Sequence, residues 1–297
     1  SFDRPNLSLA VLPGQDRWKA IERIMGRHSG KCGIIYCNSR AGTEKLAAKL
    51  QAIGVSAAYY HAKLDPVERN RVQDDFIQGK LHVICATIAF GMGIDKSDVR
   101  FVIHYNLPGT VEGYYQEIGR AGRDGEPAET ILFYSYADVQ THMHFADEIQ
   151  DPRYKEVVIA KLDRIKEYAE AQVCRRTILL SYFSEETVEA CGNCDVCKDP
   201  PKYFDGTVLA QKGLSAVVRS QQQLSMSVLV DVLKGTNSPE VAEKGWNRIK
   251  TFGAGNDTSA FAWIMFIQQF IQHGLLEVAY AEHYHLKTTR AGEAVLQ

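Results

Sequence analysis

Six short apolar segments in the first half of the chain have the length and composition of buried strands. They are residues 7–11, 32–37, 55–60, 82–86, 99–105 and 130–134. Apolar residues at helical spacing lie between most of them, as in 41–53 and 66–78, and Asp65 before Pro66 is a typical helix start. Strands that alternate with helices predict an α/β fold with a parallel sheet covered on both faces. In such sheets, functional residues lie in loops at the carboxyl ends of strands.

The pattern changes after residue 150. Residues 153–183 have a helical pattern with many charges, and a proline-containing connector follows at 198–206. Three or four further helical patterns lead to two strand-like pieces, 275–280 and 285–289, an arrangement that fits a winged helix. We therefore predict three domains: 1–150, 151–204 and 205–297.

Composition indicates an ordinary globular protein, with 297 residues, 45% hydrophobic and 24% charged. The net charge of −2 gives no overall basic field, so any nucleic-acid binding must use local patches. No apolar run approaches the ~18–20 residues that span a bilayer, and no secretory signal is present. The chain begins with Ser1 rather than Met, which we interpret as the interior of a longer protein. Seven cysteines, an odd number, indicate a reducing cytoplasm.

Four cysteines have the spacing of a metal site. Cys191, Cys194 and Cys197 lie in one tight turn that can direct three sulfurs to one point, and Cys174 can supply the fourth. Four thiolates suit structural Zn²⁺ and leave no open position for a catalytic water. An iron–sulfur cluster takes the same number of cysteines, and buried thiols without a metal are a further alternative.

Two loops that follow apolar strands have groups suited to phosphates. Asn38, Ser39 and Arg40 lie between a strand and a helix, where a nucleic-acid phosphate can bind, although Asn38 or Ser39 could equally cap the helix. Thr87 follows the strand at 82–86 and is placed to hydrogen-bond a backbone phosphate.

The second of these loops continues with glycines and an acid. Gly91 and Gly93 allow close approach of the backbone to a ligand. Asp95 could accept a hydrogen bond from a ribose hydroxyl or orient an arginine. A glycine pair alone is weak support, and its position after a strand strengthens the prediction of ligand contact.

Residues 114–125, YYQEIGRAGRDG, place Arg120 and Arg123 three apart among glycines. An arginine that reaches a γ-phosphate stabilises the charge of phosphoryl transfer. However, no G-x-x-x-x-G-K-[ST] loop is present, and Gly30-Lys31 is the nearest approach to one. The alternative is two surface arginines on a solvated helix.

These segments together resemble a known family. Residues 34–40, 59–64, 86–95 and 116–125 resemble motifs IV, IVa, V and VI of superfamily 2 helicases. The cysteine spacing, residues 174–183 and the winged-helix pattern narrow the resemblance to the RecQ helicases, and within them to the bacterial type.

The resemblance implies an ATP-dependent 3′–5′ DNA helicase of repair and recombination. Its ATP binds between two RecA-like lobes, and the first lobe supplies the phosphate-binding loop and the acidic Mg²⁺ motif. This chain resembles the second lobe, the zinc domain and the winged helix, so the first lobe would be its partner. An HRDC domain, present in many relatives, is also absent from the sequence. Asp147 and Glu148 resemble an acidic motif, but no buried strand precedes them, and we predict a solvated helix end.

Site roles follow from the same resemblance. Arg123 would be the arginine finger, Arg120 would assist at the phosphates, and Gln116 would couple the nucleotide site to DNA. Gly93 and Asp95 would also face the nucleotide. The residues expected to contact single-stranded DNA are Asn38, Ser39, Arg40, His61 and Thr87.

The winged helix would contact duplex DNA. We predict an amphipathic helix within 253–274 whose start lies near Arg248 and Lys250, facing phosphates. Its inner face would contain Phe261, Ile264, Phe266, Ile267, Phe270 and Ile271. His283 and Tyr284 would form the hairpin tip and stack on a terminal base pair, or else belong to a solvated loop.

Two other functions remain open. A non-catalytic duplex-DNA adaptor built on the winged helix would need no phosphate-binding loop. A remodelling translocase could share the first domain, although the zinc domain argues against it.

Overall fold

The structure, a computed structural model, describes residues 2–88, 90, 96–185, 190–279 and 282–296. The chain divides into two compact units, Ser1–Pro201 and Lys202–Gln297. None of the helices among the described residues is long and apolar enough to span a membrane.

The first unit is built on a six-stranded, wholly parallel sheet, which confirms the predicted α/β fold. Its strand order is β1-β6-β5-β2-β4-β3. The strands are β1 Leu7–Pro13, β2 Cys32–Tyr36, β3 Ala57–Tyr60, β4 Val83–Ala86, β5 Val99–His104 and β6 Ala128–Tyr134. All six agree with the segments expected from the sequence. Every residue of β2 and β4 is buried, as in strands covered by helices on both faces.

Five helices accompany this sheet, and most begin at a capping side chain. They are α1 Arg17–Arg27, α2 Arg40–Ala52, α3 Pro66–Ile77, α4 Val111–Ile118 and α5 Tyr136–Asp147. Asp65 caps α3 as predicted, because its carboxylate accepts from the Val67 amide at 2.9 Å. Thr110 caps α4 by accepting from the Gly113 amide at 3.0 Å. Asp147 and Glu148 lie at the end of α5, as expected.

A helical segment completes the first unit. It contains α6 Pro152–Glu170, α7 Arg175–Tyr182 and α8 Asp195–Lys198. The helical pattern of 153–183 is therefore interrupted, because Ala171 has an extended backbone and ends α6. The interruption allows Cys174 to precede α7 and to approach the cysteines beside α8.

The second unit packs helices against a two-stranded antiparallel hairpin. Its elements are α9 Thr207–Arg219, α10 Met226–Lys234, α11 Pro239–Glu243, a 3-10 helix at Trp246–Arg248, α12 Ala260–Gln272, β7 Leu276–Ala279, β8 His285–Thr288 and α13 Arg290–Val295. The sequence predicted the hairpin but not α13, whose few apolar residues give no clear helical face.

The inner face of α12 differs in part from the prediction. Phe261 is 52% exposed, whereas Trp263, which was not assigned to that face, is fully buried. The Trp263 indole N–H donates to the Gly255 carbonyl at 2.8 Å. A Cβ on Gly255 would lie 2.4 Å from the Trp263 ring, so glycine is required there. Ile267 and Phe270 are buried as predicted.

Candidate functional site

A pocket of about 610 Å³ lies at the carboxyl ends of β2, β4 and β5, beside α4. It is lined by four residues that the sequence singled out: Asn38, Thr87, Gln116 and Arg120. The fold brings them together because parallel strands end at one edge of the sheet. Gly93 and Asp95, also predicted to contact the nucleotide, lie outside the described residues.

The loop between β2 and α2 presents polar groups to solvent. Asn38, Ser39 and Arg40 are all exposed. Ser39 caps α2, since its hydroxyl accepts from the Gly42 amide at 3.1 Å. Capping and phosphate contact are compatible, because a phosphate would approach other amides of this helix start.

A hydrogen-bonded network that the sequence did not reveal supports this loop. Asn106 Oδ1 accepts from the Asn38 amide at 3.3 Å, and Asn106 Nδ2 donates to Asp138 Oδ1 at 2.8 Å. Arg17 forms a 2.6 Å ion pair with Asp138. Asn106 follows a predicted strand, so the carboxyl-end rule could have identified it, whereas nothing local connects it with Asp138.

The arginine loop, defined here as residues 119–125, follows α4. Arg120 is only 9% exposed, whereas Arg123 is exposed. Arg120 lies near the Tyr36 hydroxyl at the end of β2, which donates to the Phe90 carbonyl at 3.1 Å. Burial raises the pKa of Tyr36, and the charges of Arg120 and Arg123 partly offset this effect. The two arginines therefore occupy different environments three residues apart.

A buried carboxylate–imidazole pair connects β5 with α4, the helix that precedes the arginine loop. His104 Nε2 is 2.6 Å from Glu117 Oε2, and both residues are buried. This contact joins the end of β5 to the last turn of α4, from which the loop departs. Glu117 had no role assigned from the sequence, because its partner His104 lies on another element.

His61, which was predicted to contact single-stranded DNA, is largely buried. It is 5% exposed, and its Nε2 is 3.0 Å from Glu44 Oε1 on α2. The neighbouring Tyr59 ring is stacked with the imidazole at a centroid distance of 5.5 Å.

In the second unit, Arg248 ends the 3-10 helix and Lys250 follows it, and both side chains are exposed. His283 and Tyr284 form the tip of the β7–β8 hairpin with φ angles of 55° and 60°. Such left-handed backbone is unfavourable for residues with a Cβ, and strain of this kind is often found at functional positions. His283 is exposed, and Tyr284 is half-buried.

The four predicted cysteines converge. The sulfurs of Cys174, Cys191, Cys194 and Cys197 all lie within 4.8 Å of one another, and those of Cys191 and Cys197 are 3.9 Å apart. Tetrahedral Zn²⁺ with bonds of ~2.3 Å requires sulfurs about 3.8 Å apart. Slight contraction of the cluster gives this geometry.

The electrostatics of the cluster also suit a cation. Burial opposes ionisation of Cys174, but hydrogen bonds from the Cys191 amide and from Thr177 lower its pKa to about 6. Partial burial and the neighbouring Cys194 raise the pKa of Cys197 to about 12. Four thiolates at this spacing repel one another unless a divalent ion compensates their charge.

Comparison with known families defines the class of protein. Residues 16–125 match the helicase conserved C-terminal domain, residues 136–198 the RecQ zinc-binding domain, and residues 200–297 the RQC domain. The fold and the cysteine cluster are thus those of the C-terminal part of a helicase core with a structural zinc site.

Individual relatives narrow the class. The chain is 42% identical over 301 residues to the ATP-dependent DNA helicase RecQ of Haemophilus influenzae, covering 100% of this chain and 48% of that protein. It is 40% identical to the ATP-dependent DNA helicase RecQ of Pasteurella multocida, covering 100% and 47% respectively. The chain belongs to the RecQ family, and it spans about half the length of the curated relatives it matches. Among solved structures, it is similar over 47% of its length to a DEAD box protein from Methanococcus jannaschii, with 28% identity and a TM-score of 0.41.

Proposed function

We propose that this chain is the C-terminal part of the core of a DNA helicase that couples ATP hydrolysis to 3′–5′ movement along single-stranded DNA and to duplex separation. Its domains would be a second RecA-like lobe at 1–150, a zinc domain at 151–204 and a winged helix at 205–297. The observation that carries the proposal is the arginine loop, which shares one sheet edge with Asn38 and Thr87. DNA repair and recombination in the bacterial cytosol or nucleoid is the corresponding cellular role.

In this mechanism, ATP and Mg²⁺ are held mostly by an N-terminal RecA-like lobe of the same protein. Arg123 extends from the second lobe to the γ-phosphate and stabilises the charge that develops during transfer. Arg120 assists at the phosphates, and Gly93 and Asp95 face the nucleotide. Gln116, which lines the carboxyl-end pocket, couples nucleotide state to DNA contact.

Single-stranded DNA crosses the same sheet edge. Asn38, Ser39 and Arg40 contact its phosphates at the start of α2, and Thr87 contributes its hydroxyl. His61 supports this surface through its contact with Glu44, or its imidazole contacts a phosphate. Because the contacts are to phosphates, binding is independent of sequence and weakens as salt rises.

Duplex DNA binds the winged helix. Arg248 and Lys250 contact its phosphates, and His283 and Tyr284 approach the junction where the strands separate. The strained backbone of the hairpin tip supports a role for these two residues.

The proposal is tested with the full-length protein that contains this chain. Duplexes with a 3′ or a 5′ single-stranded tail are supplied with ATP and Mg²⁺, and strand separation is followed. We expect DNA-stimulated hydrolysis and unwinding of the 3′-tailed duplex. Duplex binding without DNA-stimulated hydrolysis would instead identify the non-catalytic adaptor.

A further inference from the structure

The strap, defined here as residues 2–7, runs between the arginine loop and the cysteine cluster. It precedes and enters β1, the edge strand beside β6. Its contacts on the two sides involve different residues, so each side can be considered in turn.

On the side of the arginine loop, Arg4 contacts three backbone carbonyls. Its Nη1 donates to the Gly119 carbonyl at 3.2 Å, and its Nη2 donates to those of Ala121 and Gly122 at 2.8 and 3.0 Å. These carbonyls follow the end of α4, where no helical partner is available to them. One guanidinium therefore fixes the backbone on both sides of Arg120.

Asn6 adds a second attachment to the same loop. Its Nδ2 donates to the carbonyls of Gly122 and Glu126 at 2.8 and 2.9 Å. A Cβ on Gly122 would lie 2.5 Å from this nitrogen, and Gly122 has a φ of +55°. The glycine just before Arg123 is thus required both by the loop conformation and by the close approach of the strap.

On the side of the cysteine cluster, Arg176 and Asn193 attach to the strap. Arg176 donates to Asp3 Oδ1 at 2.8 Å and to the Leu7 carbonyl at 2.7 Å. Asn193 lies between two metal ligands, and its Nδ2 is 3.3 Å from the Leu7 carbonyl oxygen. The position of the strap therefore depends on the turn that contains Cys191 and Cys194.

An aromatic contact also joins the start of the strap to both neighbours. The Phe2 ring stacks on that of Phe183, just after α7, at a centroid distance of 4.3 Å. Tyr115, on α4, donates its hydroxyl to the Phe2 carbonyl at 2.7 Å.

We propose that the strap couples the zinc cluster to the arginine loop and that Arg4 is a positioning residue for Arg120 and Arg123. The catalytic part of this inference rests on the proposed function. A guanidinium must reach a phosphate with good geometry, and a misplacement of about 1 Å can reduce turnover roughly 100-fold. Arg4 touches no reacting group and acts only through the loop backbone.

The test combines a structural and a kinetic measurement on Arg4→Gln, in which one amide replaces a guanidinium that spans three carbonyls. In the 297-residue chain, amide hydrogen exchange is followed at Ala121, Gly122 and Gly125, whose amides are hydrogen-bonded. In the full-length protein, kcat and KM for ATP are measured, together with zinc content. Arg23→Gln is the matched control, because Arg23 is exposed on α1 and donates to the Lys19 carbonyl of its own helix.

We expect faster exchange in the loop with the β5 amides still protected, unchanged zinc content, a kcat lowered about tenfold or more and a KM within about twofold. Arg4→Lys retains the charge, but one ammonium cannot replace the planar guanidinium. Its loop exchange rates and kcat should therefore lie between those of the parent protein and of Arg4→Gln.

Unchanged loop exchange in Arg4→Gln would overturn the strap whatever the activity. Faster exchange with unchanged kcat, in an enzyme that Arg123→Ala inactivates, would overturn the positioning role. If Arg123→Ala leaves kcat unchanged, the proposed function fails, whereas the exchange measurement still decides whether the strap holds the loop.

Discussion

Arg120 and Arg123 show how differently two neighbouring arginines can be placed. Arg120 is largely enclosed and lies near Tyr36, whereas Arg123 is exposed at the loop surface. An enclosed guanidinium holds its surroundings in place, and an exposed one can reach a group on another lobe. This difference supports Arg123 as the finger, and it could not be predicted from a spacing that is the same for both residues.

Arg123→Ala in the full-length protein should therefore lower kcat by about three orders of magnitude and leave KM for ATP nearly unchanged. The charge it stabilises grows only in the transition state. Steady-state hydrolysis with saturating DNA measures both constants, and Arg153→Ala, an exposed arginine on α6, is the control. A raised KM with normal kcat would transfer the finger role to Arg120.

Glu170 is a second residue whose environment is informative. It lies at the end of α6 and accepts a hydrogen bond from the Tyr134 hydroxyl on β6. Burial raises the pKa of its carboxyl group above the ordinary value. The folded protein therefore holds this proton more tightly than the unfolded chain does.

A raised carboxyl pKa has a defined effect on stability. The contribution of Glu170 to the free energy of unfolding is most favourable below the pKa of this group in the unfolded chain. It is lost as pH rises from that value to the pKa in the folded protein. Glu170→Gln keeps an acceptor for Tyr134 and removes the buried charge. We expect it to stabilise the first unit at pH 7 but not near pH 3, as measured by urea unfolding at both values. Equal effects at the two pH values would contradict this assignment.

At the scale of elements, the sequence predicted the strands better than the ends of helices. The six strands of the sheet are short apolar runs, and β2 and β4 are buried throughout, so composition is sufficient to identify them. The interruption between α6 and α7 at Ala171 was not predicted, because the cysteines that it brings together with Cys174 lie 17 or more residues further along the chain. The start of α12 was predicted, but its inner face was wrong at Phe261 and Trp263, because the Trp263 ring packs against Gly255, which precedes the helix and has no side chain.

The cysteine turn is an element that depends on its metal. Cys194→Ser should abolish the one zinc per chain and make residues 151–201 sensitive to protease, because structural zinc contributes on the order of 10 kcal/mol to folding of small domains. Metal analysis and limited proteolysis measure these effects. Cys32→Ala, outside the cluster, should retain the zinc. A soluble, metal-free and protease-resistant Cys194→Ser protein would refute a structural role.

The hairpin tip of the second unit can be tested in the same way. If Tyr284 stacks on the terminal base pair, Tyr284→Ala should slow unwinding of forked and blunt duplexes roughly tenfold, since base–aromatic stacking contributes about 1–3 kcal/mol. Tyr284→Phe retains the ring and should behave as the parent protein. Equal rates for all three proteins would mean that the winged helix holds the duplex without separating its strands.

At the scale of the whole molecule, the site is assembled from distant parts of the chain. Asn38 and Thr87 were expected at the carboxyl ends of strands, and the pocket at this edge of the sheet is also lined by Gln116 and Arg120. Asn106, Asp138 and the strap escaped prediction, because their contacts connect residues more than 30 positions apart. Local patterns identify the groups that perform chemistry, whereas the groups that support them require the folded structure.

The 297-residue chain by itself should show no ATP hydrolysis above background, because its sequence contains no phosphate-binding loop. It should still bind DNA, with an affinity that falls steeply as salt rises. Fluorescence anisotropy at several salt concentrations and a phosphate-release assay measure the two properties. DNA-stimulated turnover by this chain alone would contradict the division of the nucleotide site between two lobes.

The position of β1 at the sheet edge has a consequence for how the protein is made. Leu7 pairs with Ala128, so β1 leaves the ribosome roughly 120 residues before its partner strand exists. At a synthesis rate of about 5–20 residues per second, its apolar side chains remain unpaired with β6 for some 6 to 25 seconds. Its final contact, from the Val11 amide to Asp195 Oδ2, forms later still. The beginning of the first unit is therefore among the last parts to become native, and during synthesis it is a natural target for chaperones.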